Sequence, residues 1–221
     1  MDFFSTKSIF FTAWDYPVSY LEFTGMVSGL VAVYLSARAN VLSWPIGIVN
    51  VVLSFFLFYQ VQLYPDMFLQ SFFFATNILG WWRWLNPFPG EEDRRNQLKV
   101  GVLDKSGIAV VVVSALAGTW LVGKFAENLH ILAPLFFKEP SAYPYADSFI
   151  LVMSIVNTFF MIQKKIESWI IWIIIDVVAT YLYYTRGVKL YAVLYFVYCF
   201  IAAYGLYFWV LEYRSYRTQS S

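Results

Sequence analysis

Residues 190–211 read LYAVLYFVYCFIAAYGLYFWVL and contain no charged side chain. A run of about 20 such residues is long enough to cross the hydrocarbon core of a bilayer as a helix. A charge at mid-bilayer costs several kcal/mol, so a membrane segment requires this absence of charge. The stretch therefore indicates a transmembrane helix, and the rest of the chain can be interpreted from it.

Four further stretches lack charges, at residues 39–65, 67–82, 106–123 and 148–163. They are continuously apolar and show no alternation of period two, which favours helices over the strands of a membrane barrel. We therefore predict an all-α polytopic membrane protein with seven transmembrane helices. The predicted helices lie at about 20–37, 42–60, 65–84, 106–124, 146–162, 168–185 and 189–210.

The composition excludes several classes of protein. Of the 221 residues, 60% are hydrophobic and 13% are charged, whereas soluble domains are about half apolar and a quarter charged. The net charge of +1 offers no basic face to a nucleic acid. A single cysteine, Cys199, and a single histidine, His130, exclude an intrachain disulfide and a metal cluster of these residues. We expect no cofactor, no metal and no enzymatic activity.

The distribution of basic residues predicts the orientation in the membrane. With seven crossings, ten of the fifteen lysines and arginines fall on one side. Basic residues accumulate in cytoplasmic loops, so the N-terminus is predicted outside and the C-terminus inside. The ten are Arg38, Arg83, Arg94, Arg95, Lys99, Lys105, Lys164, Lys165, Arg214 and Arg217.

An internal repeat relates the two ends of the chain. Without a gap, residues 43–84 align with residues 168–209 at ten identical positions. Aromatic-rich helices resemble each other through composition alone, but the equal spacing of glycine and tryptophan favours a true duplication. The matches include Ser43-Trp44 with Ser168-Trp169, Gly80 with Gly205, and Trp84 with Trp209.

The repeat predicts how the chain is organised. Two three-helix repeats (20–85 and 146–210) are joined through 86–145, which contains a cytoplasmic loop, a linker helix and an outer loop. Residues 1–19 are interpreted as an interfacial segment, with a frayed end as the alternative, and 211–221 as a C-terminal tail. In this 3+1+3 arrangement both repeats run in the same direction. Parallel repeats of this kind hold a solute between them near the midplane.

Polar and aromatic residues inside the predicted helices are the candidate binding residues. A polar group in hydrocarbon must find a partner on another helix or face a cavity. Gln70 and Asn77 are seven residues apart and therefore share a helix face, and Trp169, Trp172 and Asp176 form a second stripe. Interhelical hydrogen bonding is the alternative role for each amide. The candidates are Asn50, Gln70, Phe73, Thr76, Asn77, Trp81, Trp169, Trp172, Asp176 and Thr180.

Asp176 is the one carboxylate deep inside a predicted helix. It either bonds to neighbouring helices or lines the path of a polar or cationic solute. Trp84 and Trp209 stand near predicted helix ends, where tryptophan belongs to the interfacial belt, whereas Trp172 lies deeper. A pocket walled by aromatic rings suits a flat solute, and a cationic one in particular.

Several of these residues resemble a known family. The runs Gly47-Ile-Val-Asn50, Gln60-Val-Gln-Leu-Tyr64 and Glu167-Ser-Trp169-Ile-Ile-Trp172 are similar to the PnuC family of bacterial nicotinamide riboside transporters, as is Gln70-Ser-Phe-Phe-Phe-Ala-Thr-Asn77-Ile-Leu-Gly80-Trp81-Trp-Arg-Trp84. The resemblance implies a fold like that of the sugar-permeating SWEET proteins. It implies facilitated diffusion of nicotinamide riboside, an NAD precursor, across the inner membrane, with trapping by a cytoplasmic kinase and assembly as a homotrimer. Asn50, Gln70, Asn77, Trp81, Trp169 and Trp172 match the family's polar and aromatic signature.

Other functions stay open from the residues alone. A SWEET-like sugar carrier or another vitamin transporter is the main alternative. A retinal photoreceptor needs a lysine midway along the seventh helix, but Lys189 stands at its edge. An embedded enzyme needs paired acids or histidines in its spans, and only Asp176 is available. Since the spans hold no arginine cluster, we expect a phosphorylated solute to be rejected.

Overall fold

The computed structural model describes residues 3–13, 15–60, 64–132 and 142–217, with the side chains of 64–66 left aside. Residues 61–63 of the family-like motif, 133–141 of the predicted outer loop and 218–221 of the tail lie outside the described residues. Two strands and nine helices are described: β1 (Ile9–Ala13), β2 (Tyr16–Ser19), α1 (Tyr20–Ala37), α2 (Ser43–Gln60), α3 (Tyr64–Leu85), α4 (Lys105–Val113), α5 (Thr119–Glu127), α6 (Leu129–Leu132), α7 (Pro144–Ile162), α8 (Glu167–Thr185) and α9 (Lys189–Arg217).

Six helical stretches of the described residues are long and apolar enough to cross a membrane: α1, α2, the stretch Lys105–Glu127, α7, α8 and α9 as far as Tyr216. The predicted class of a helical membrane protein is thereby confirmed. α3 is also long, with 22 residues, but Gln70, Asn77 and Arg83 make it more polar than the others. A long helix that is too polar to stand out by hydropathy therefore carries half of the predicted binding residues.

The stretch Lys105–Glu127 is continuous but contains a π-helical turn, Ser114–Gly118, between α4 and α5. A side-chain carbon added at Gly118 would lie 3.0 Å from Cγ1 of Val152 in α7. Glycine therefore allows the backbone of this helix to approach α7 more closely than a larger residue would. Such π turns locally change which residues face a neighbour.

The N-terminal segment forms a β-hairpin, which the sequence did not predict. β1 and β2 pair antiparallel around Asp15, whose φ is +66°. The strands could not be predicted from the sequence, because IFFTA shows no alternation of apolar and polar residues. Gln60 at the end of α2 anchors the preceding residues: its side chain accepts from the Thr6 amide (2.9 Å) and donates to the Phe4 carbonyl. The described part of the segment is thus structured and not a frayed end.

Ser19 ends β2 and also begins α1. Its hydroxyl accepts from the Glu22 amide at 3.2 Å, and the Glu22 carboxylate accepts from the Ser19 amide at 2.9 Å. This reciprocal capping box satisfies two amide groups that the first turn of a helix leaves without partners. It explains why the first helix starts at Tyr20, as predicted.

The last helix is longer than predicted: α9 continues to Arg217, beyond the expected end at about residue 210. Beyond that boundary the Ser215 hydroxyl donates to the Glu212 carbonyl at 2.8 Å, and the Tyr216 hydroxyl donates to the Glu212 carboxylate at 3.1 Å. Charged residues end a membrane span but not a helix, so the loss of hydropathy marked the membrane boundary and not the helix end.

The chain divides into two compact units. The first comprises Met1–Val100, Ile162–Lys164 and Tyr204–Ser221, and the second comprises Gly101–Met161 and Lys165–Ala203. These units do not coincide with the two predicted repeats, because α9 contributes to both. In the first unit α1 packs on α2 and α2 packs on α3.

Three tryptophans form the centre of the first unit. Trp84 meets Trp44 edge to face with ring centroids 5.3 Å apart, and it meets Trp209 at 5.9 Å. The indole N–H of Trp84 donates to the Ile162 carbonyl and that of Trp209 to the Ser36 carbonyl, both at 3.1 Å. Both rings are 0% exposed. The expectation that Trp84 and Trp209 belong to the interfacial belt is therefore wrong: they are core residues whose polar atom is satisfied by a carbonyl.

We predict that Gly80→Ala destabilises the protein, whereas Gly25→Ala does not. A carbon added at Gly80 would lie 2.3–2.5 Å from the Trp44 ring, while at Gly25 the nearest atom is 4.0 Å away. Trp44 is buried and cannot retreat without disturbing Trp84. Overpacking of this kind typically costs about 1–3 kcal/mol. Thermal unfolding of the two variants in detergent tests the difference, and equal midpoints for both would contradict it.

Candidate functional site

The predicted binding residues are divided between the two compact units. Six belong to the first unit and four to the second. In the first unit they are Asn50, Gln70, Phe73, Thr76, Asn77 and Trp81, and in the second Trp169, Trp172, Asp176 and Thr180. Each group is described separately.

In α3, the polar side chains bond to their own helix. The Thr76 hydroxyl donates to the carbonyls of Phe72 and Phe73, both at 3.1 Å. The Asn77 amide nitrogen donates to the Phe73 carbonyl at 2.8 Å. Its oxygen faces α2, where a carbon added at Gly47 would lie only 2.3 Å away. Glycine at position 47 is thus the residue that leaves space for the Asn77 amide.

Asn50 has a clear structural role. Its amide nitrogen donates to the Gly25 carbonyl at 2.7 Å and thereby joins α2 to α1. Gln70 and Phe73 are half-buried on α3. Trp81 is 39% exposed and so lies at the surface of the unit rather than in its core. The first unit therefore uses Asn50 for packing and presents Gln70, Phe73 and Trp81 at least partly at its surface.

In the second unit α8 carries a stripe of aromatic and acidic residues. Trp169 is buried, and Trp172 packs against the apolar cluster formed by Met153, Phe160, Ile171 and Ile175. Asp176, one turn further, is 4% exposed. The predicted stripe of Trp169, Trp172 and Asp176 thus lies on one helix, and most of it is buried inside the second unit.

Thr180 lies one turn beyond Asp176 on the same helix. Its hydroxyl donates to the Asp176 main-chain carbonyl at 2.7 Å, so the carboxylate itself is not used by this contact. The Thr180 side chain also lies close to the thiol of Cys199 on α9. Thr180 therefore connects the acidic end of the stripe to α9.

Four tyrosines beside Asp176 were missed by the sequence analysis. Tyr183 stacks on Tyr195 with centroids 5.2 Å apart and planes 10° apart, and it also stacks on Tyr191 at 5.5 Å. Tyr198 meets Tyr195 edge to face at 5.9 Å. The carboxylate of Asp176 interacts electrostatically with Tyr195 and Tyr198. The spacing 191, 195, 198 on one helix face was the available signal.

This arrangement suits a flat, positively charged ligand. Aromatic faces attract cations, and a carboxylate in a water-poor environment strengthens that attraction. No group of His, Cys, Asp and Glu suited to a metal occurs within the part of the chain that the structure describes. Within the second unit, the geometry therefore favours binding through aromatic rings and one carboxylate.

Comparison with known proteins decides the family. The sequence model of the nicotinamide mononucleotide transporter family matches residues 19–211. The chain belongs to this family. The family and the curated relatives are transporters, so the prediction of a transporter without enzymatic activity is confirmed.

Relatives of this family member cover nearly its full length. It is 31% identical to the nicotinamide riboside transporter PnuC of Escherichia coli over 95% of each chain. It is 23% identical to the riboflavin/roseoflavin transporter RibM of Streptomyces davaonensis, over 92% of this chain and 91% of that one. A crystal structure of the vitamin B3 transporter PnuC superposes with a TM-score of 0.66 at 22% identity, covering 89% of this chain and 83% of that one. The fold is thus that of a known transporter.

We predict that Asn157→Ala lowers the thermal stability of this transporter more than Thr158→Val. Asn157 is fully buried, and its amide donates to the Ser168 carbonyl in the first turn of α8 at 2.9 Å. Thr158 donates only within α7, to Ser154 at 2.7 Å. Removing the Asn157 amide deletes this buried hydrogen bond between α7 and α8, which is worth about 1 kcal/mol, and leaves a cavity in its place. Unfolding midpoints test this, and a larger loss in Thr158→Val would refute it.

Proposed function

We propose that this protein transports nicotinamide riboside by facilitated diffusion. The observation that carries the proposal is the 31% identity to the nicotinamide riboside transporter of E. coli over 95% of both chains. The geometry supports it independently, because the nicotinamide ring of this nucleoside is flat and cationic. Asp176 provides a buried carboxylate, and Tyr195 and Trp172 provide aromatic faces nearby on the same unit.

The riboside fits the spans better than its phosphorylated form. α2 and α8 contain no lysine or arginine. The one arginine of α3, Arg83, is in its last turn. A phosphate inside hydrocarbon needs cationic partners, which Arg provides best. We therefore assign the unphosphorylated nucleoside as the transported form, with the amides of Gln70 and Asn77 as candidate partners of its carboxamide.

We further propose seven crossings arranged as 3+1+3 parallel repeats, with α3 as the crossing that hydropathy alone does not identify. Its polar residues lower its hydropathy, which is what a helix lining a solute path requires. The contact of Trp44 with Gly80 supports the duplication, since both residues recur 125 positions later as Trp169 and Gly205. Unrelated helices are not expected to contain the same two residues at the same spacing.

The cellular context follows from the same proposal. We place the protein in the bacterial inner membrane, with the N-terminus outside and the hairpin, whose Phe10, Phe11 and Tyr16 are exposed, at the outer interface. Passive transport accumulates nothing, so a cytoplasmic kinase that phosphorylates the nucleoside would trap it. A homotrimer is proposed on family resemblance, and the exposed apolar residues Leu116 and Leu121 are available to a second copy or to lipid.

A second candidate substrate is riboflavin, because RibM matches over more than 90% of both chains. Riboflavin also has a flat ring and a polyol chain but carries no permanent positive charge. The two candidates differ in what Asp176 contributes: an ionised carboxylate stabilises a cationic ring beside it and gives no such advantage to a neutral one. Substrate competition therefore separates them.

We predict that Trp172→Ala and Gln70→Ala each reduce the uptake of nicotinamide riboside into proteoliposomes by at least about tenfold, a loss of about 1.4 kcal/mol. Trp120→Ala is the matched control, since Trp120 is an exposed tryptophan of α5. Unfolding midpoints of Gln70→Ala and Trp120→Ala should match the wild type, whereas Trp172→Ala, which loses packing against the apolar cluster, should unfold at a lower temperature but still cooperatively. Unchanged uptake in both site variants would refute the site assignment.

We predict that unlabelled nicotinamide riboside competes with labelled uptake, whereas nicotinamide mononucleotide, riboflavin and glucose do not at equal concentration. The reason is the combination of a buried carboxylate with the absence of a basic cluster in the described spans. Competition by riboflavin alone would assign the RibM-like function, and competition by glucose alone would assign a sugar carrier.

A further inference from the structure

Lys164 is a buried lysine in the turn between α7 and α8. α7 ends at Ile162 and α8 begins at Glu167. The Lys164 backbone is left-handed, with φ +56°, and its side chain is 0% exposed. Both features are uncommon for lysine, because a left-handed backbone costs about 1–2 kcal/mol and an ammonium group is strongly hydrated. Its surroundings must therefore hold the residue in place.

Two contacts within the first unit hold the Lys164 side chain. Its ammonium nitrogen Nζ donates to the Leu98 carbonyl at 2.7 Å and lies 4.5 Å from the centroid of the Trp84 ring. The Trp84 indole in turn donates to the carbonyl of Ile162, two residues before Lys164. The turn is thus attached to α3 through Trp84 and to the loop that follows α3 through Leu98.

The charge of Lys164 has little compensation. Among the described residues no carboxylate lies within ion-pair distance of it. Asp93 and Glu212 act on it only at longer range and are opposed by Arg95, which pairs with both, at 3.7 Å with Asp93 and 3.4 Å with Glu212. Tyr216 donates to Glu212 from the same side. The buried ammonium group therefore relies on one carbonyl and one ring face.

Burial lowers the pKa of Lys164 from 10.5 to about 8. The closed turn thus accommodates the neutral amine more easily than the ammonium ion. A conformation that exposes Lys164 to water restores the ordinary pKa and is favoured by the charged form. Near neutral pH Lys164 is mostly charged, so its buried charge destabilises the closed turn. This destabilisation disappears as the amine loses its proton.

We propose that Lys164 is a positioning residue for transport, and that its buried positive charge keeps the turn leading into α8 ready to open during the transport cycle. This rests on the proposed function, because α8 carries Trp169 and Trp172 in its first turns. The turn is attached to that helix by short contacts as well as by the chain: the Trp169 amide donates to the Ile166 carbonyl at 3.0 Å, and the Ser168 hydroxyl donates to the Lys165 carbonyl at 2.6 Å. Movement of Lys164 therefore displaces the start of α8.

A stability measurement tests the buried charge without any substrate. Between about pH 8 and 10.5 the unfolded protein holds more protons on Lys164 than the folded protein, so folded stability should rise with pH in this range. We expect the unfolding midpoint of the wild type to gain several degrees relative to Lys164→Met between about pH 7 and about pH 9.5. Lys165→Met is the matched control, because Lys165 is a more exposed neighbour that bonds to the Val102 carbonyl at 3.1 Å. Parallel curves for wild type and Lys164→Met would overturn the proposal.

Uptake of nicotinamide riboside into proteoliposomes tests the role in transport. From about pH 7 to about pH 9 the charged fraction of Lys164 falls about tenfold, so we expect the maximal rate of the wild type and of Lys165→Met to fall severalfold with little change in KM. Lys164→Met should be slow at both pH values. Lys164→Arg, which stays charged, should keep its rate at the higher pH.

The outcomes of the uptake experiment are distinct. A pH-independent wild-type rate, or a wild-type pH profile in Lys164→Met, would overturn the role of Lys164. If the wild type takes up no nicotinamide riboside at any pH, the proposed function fails. The stability comparison then still decides whether the buried charge destabilises the folded turn. If Lys164→Met does not fold, Lys164→Arg tests the proposal by itself. An unchanged rate at the higher pH supports the proposal, and a loss of rate like that of the wild type overturns it.

Discussion

Hydrogen bonds from side chains to backbone carbonyl oxygens hold this protein together. In hydrocarbon no water is available, so an acceptor within the protein strongly stabilises a buried donor. Asn50 donates to Gly25, Asn157 to Ser168, Trp84 to Ile162 and Trp209 to Ser36. Each bond joins two helices, or a helix to a turn, at a point that apolar packing alone would leave free to slide. The tryptophans add large apolar area around the same bonds, and this combination makes the first unit compact.

The same constraint separates structural from functional polar residues. A polar side chain whose donor is used by a neighbouring carbonyl has an explained place in the fold, and Asn50 belongs to that class. Asp176 differs, because the Thr180 hydroxyl bonds to its main-chain carbonyl, while its buried carboxylate interacts electrostatically with Tyr195 and Tyr198. A buried carboxylate among aromatic rings is costly without a cation, and the proposed cationic nucleoside would provide one. Lys164 presents the opposite charge under a similar constraint, with Leu98 and Trp84 as its partners.

Family membership and fold do not by themselves select the substrate. Relatives of similar length are named as transporters of nicotinamide riboside or of riboflavin and roseoflavin. Both solutes are flat and hydroxylated, so ring faces and amides serve either. The charge of the ring is the chemical difference between them, which is why Asp176 has more weight in the assignment than the tryptophans.

The amino-acid sequence alone determined the helical membrane class, most helix ends, the candidate residues and the family resemblance. These depend on local properties: helix hydrogen bonds close within four residues, and hydropathy is a sum over one segment. Only the tertiary structure decided that the N-terminal segment pairs as a hairpin, that Trp84 and Trp209 are core rather than interfacial residues, and that tyrosines of α8 and α9 pack together near Asp176. Such features depend on contacts between residues far apart in the chain, such as Trp209 with Ser36. Nothing local distinguishes an indole that will be buried against a distant carbonyl from one that will face the membrane interface.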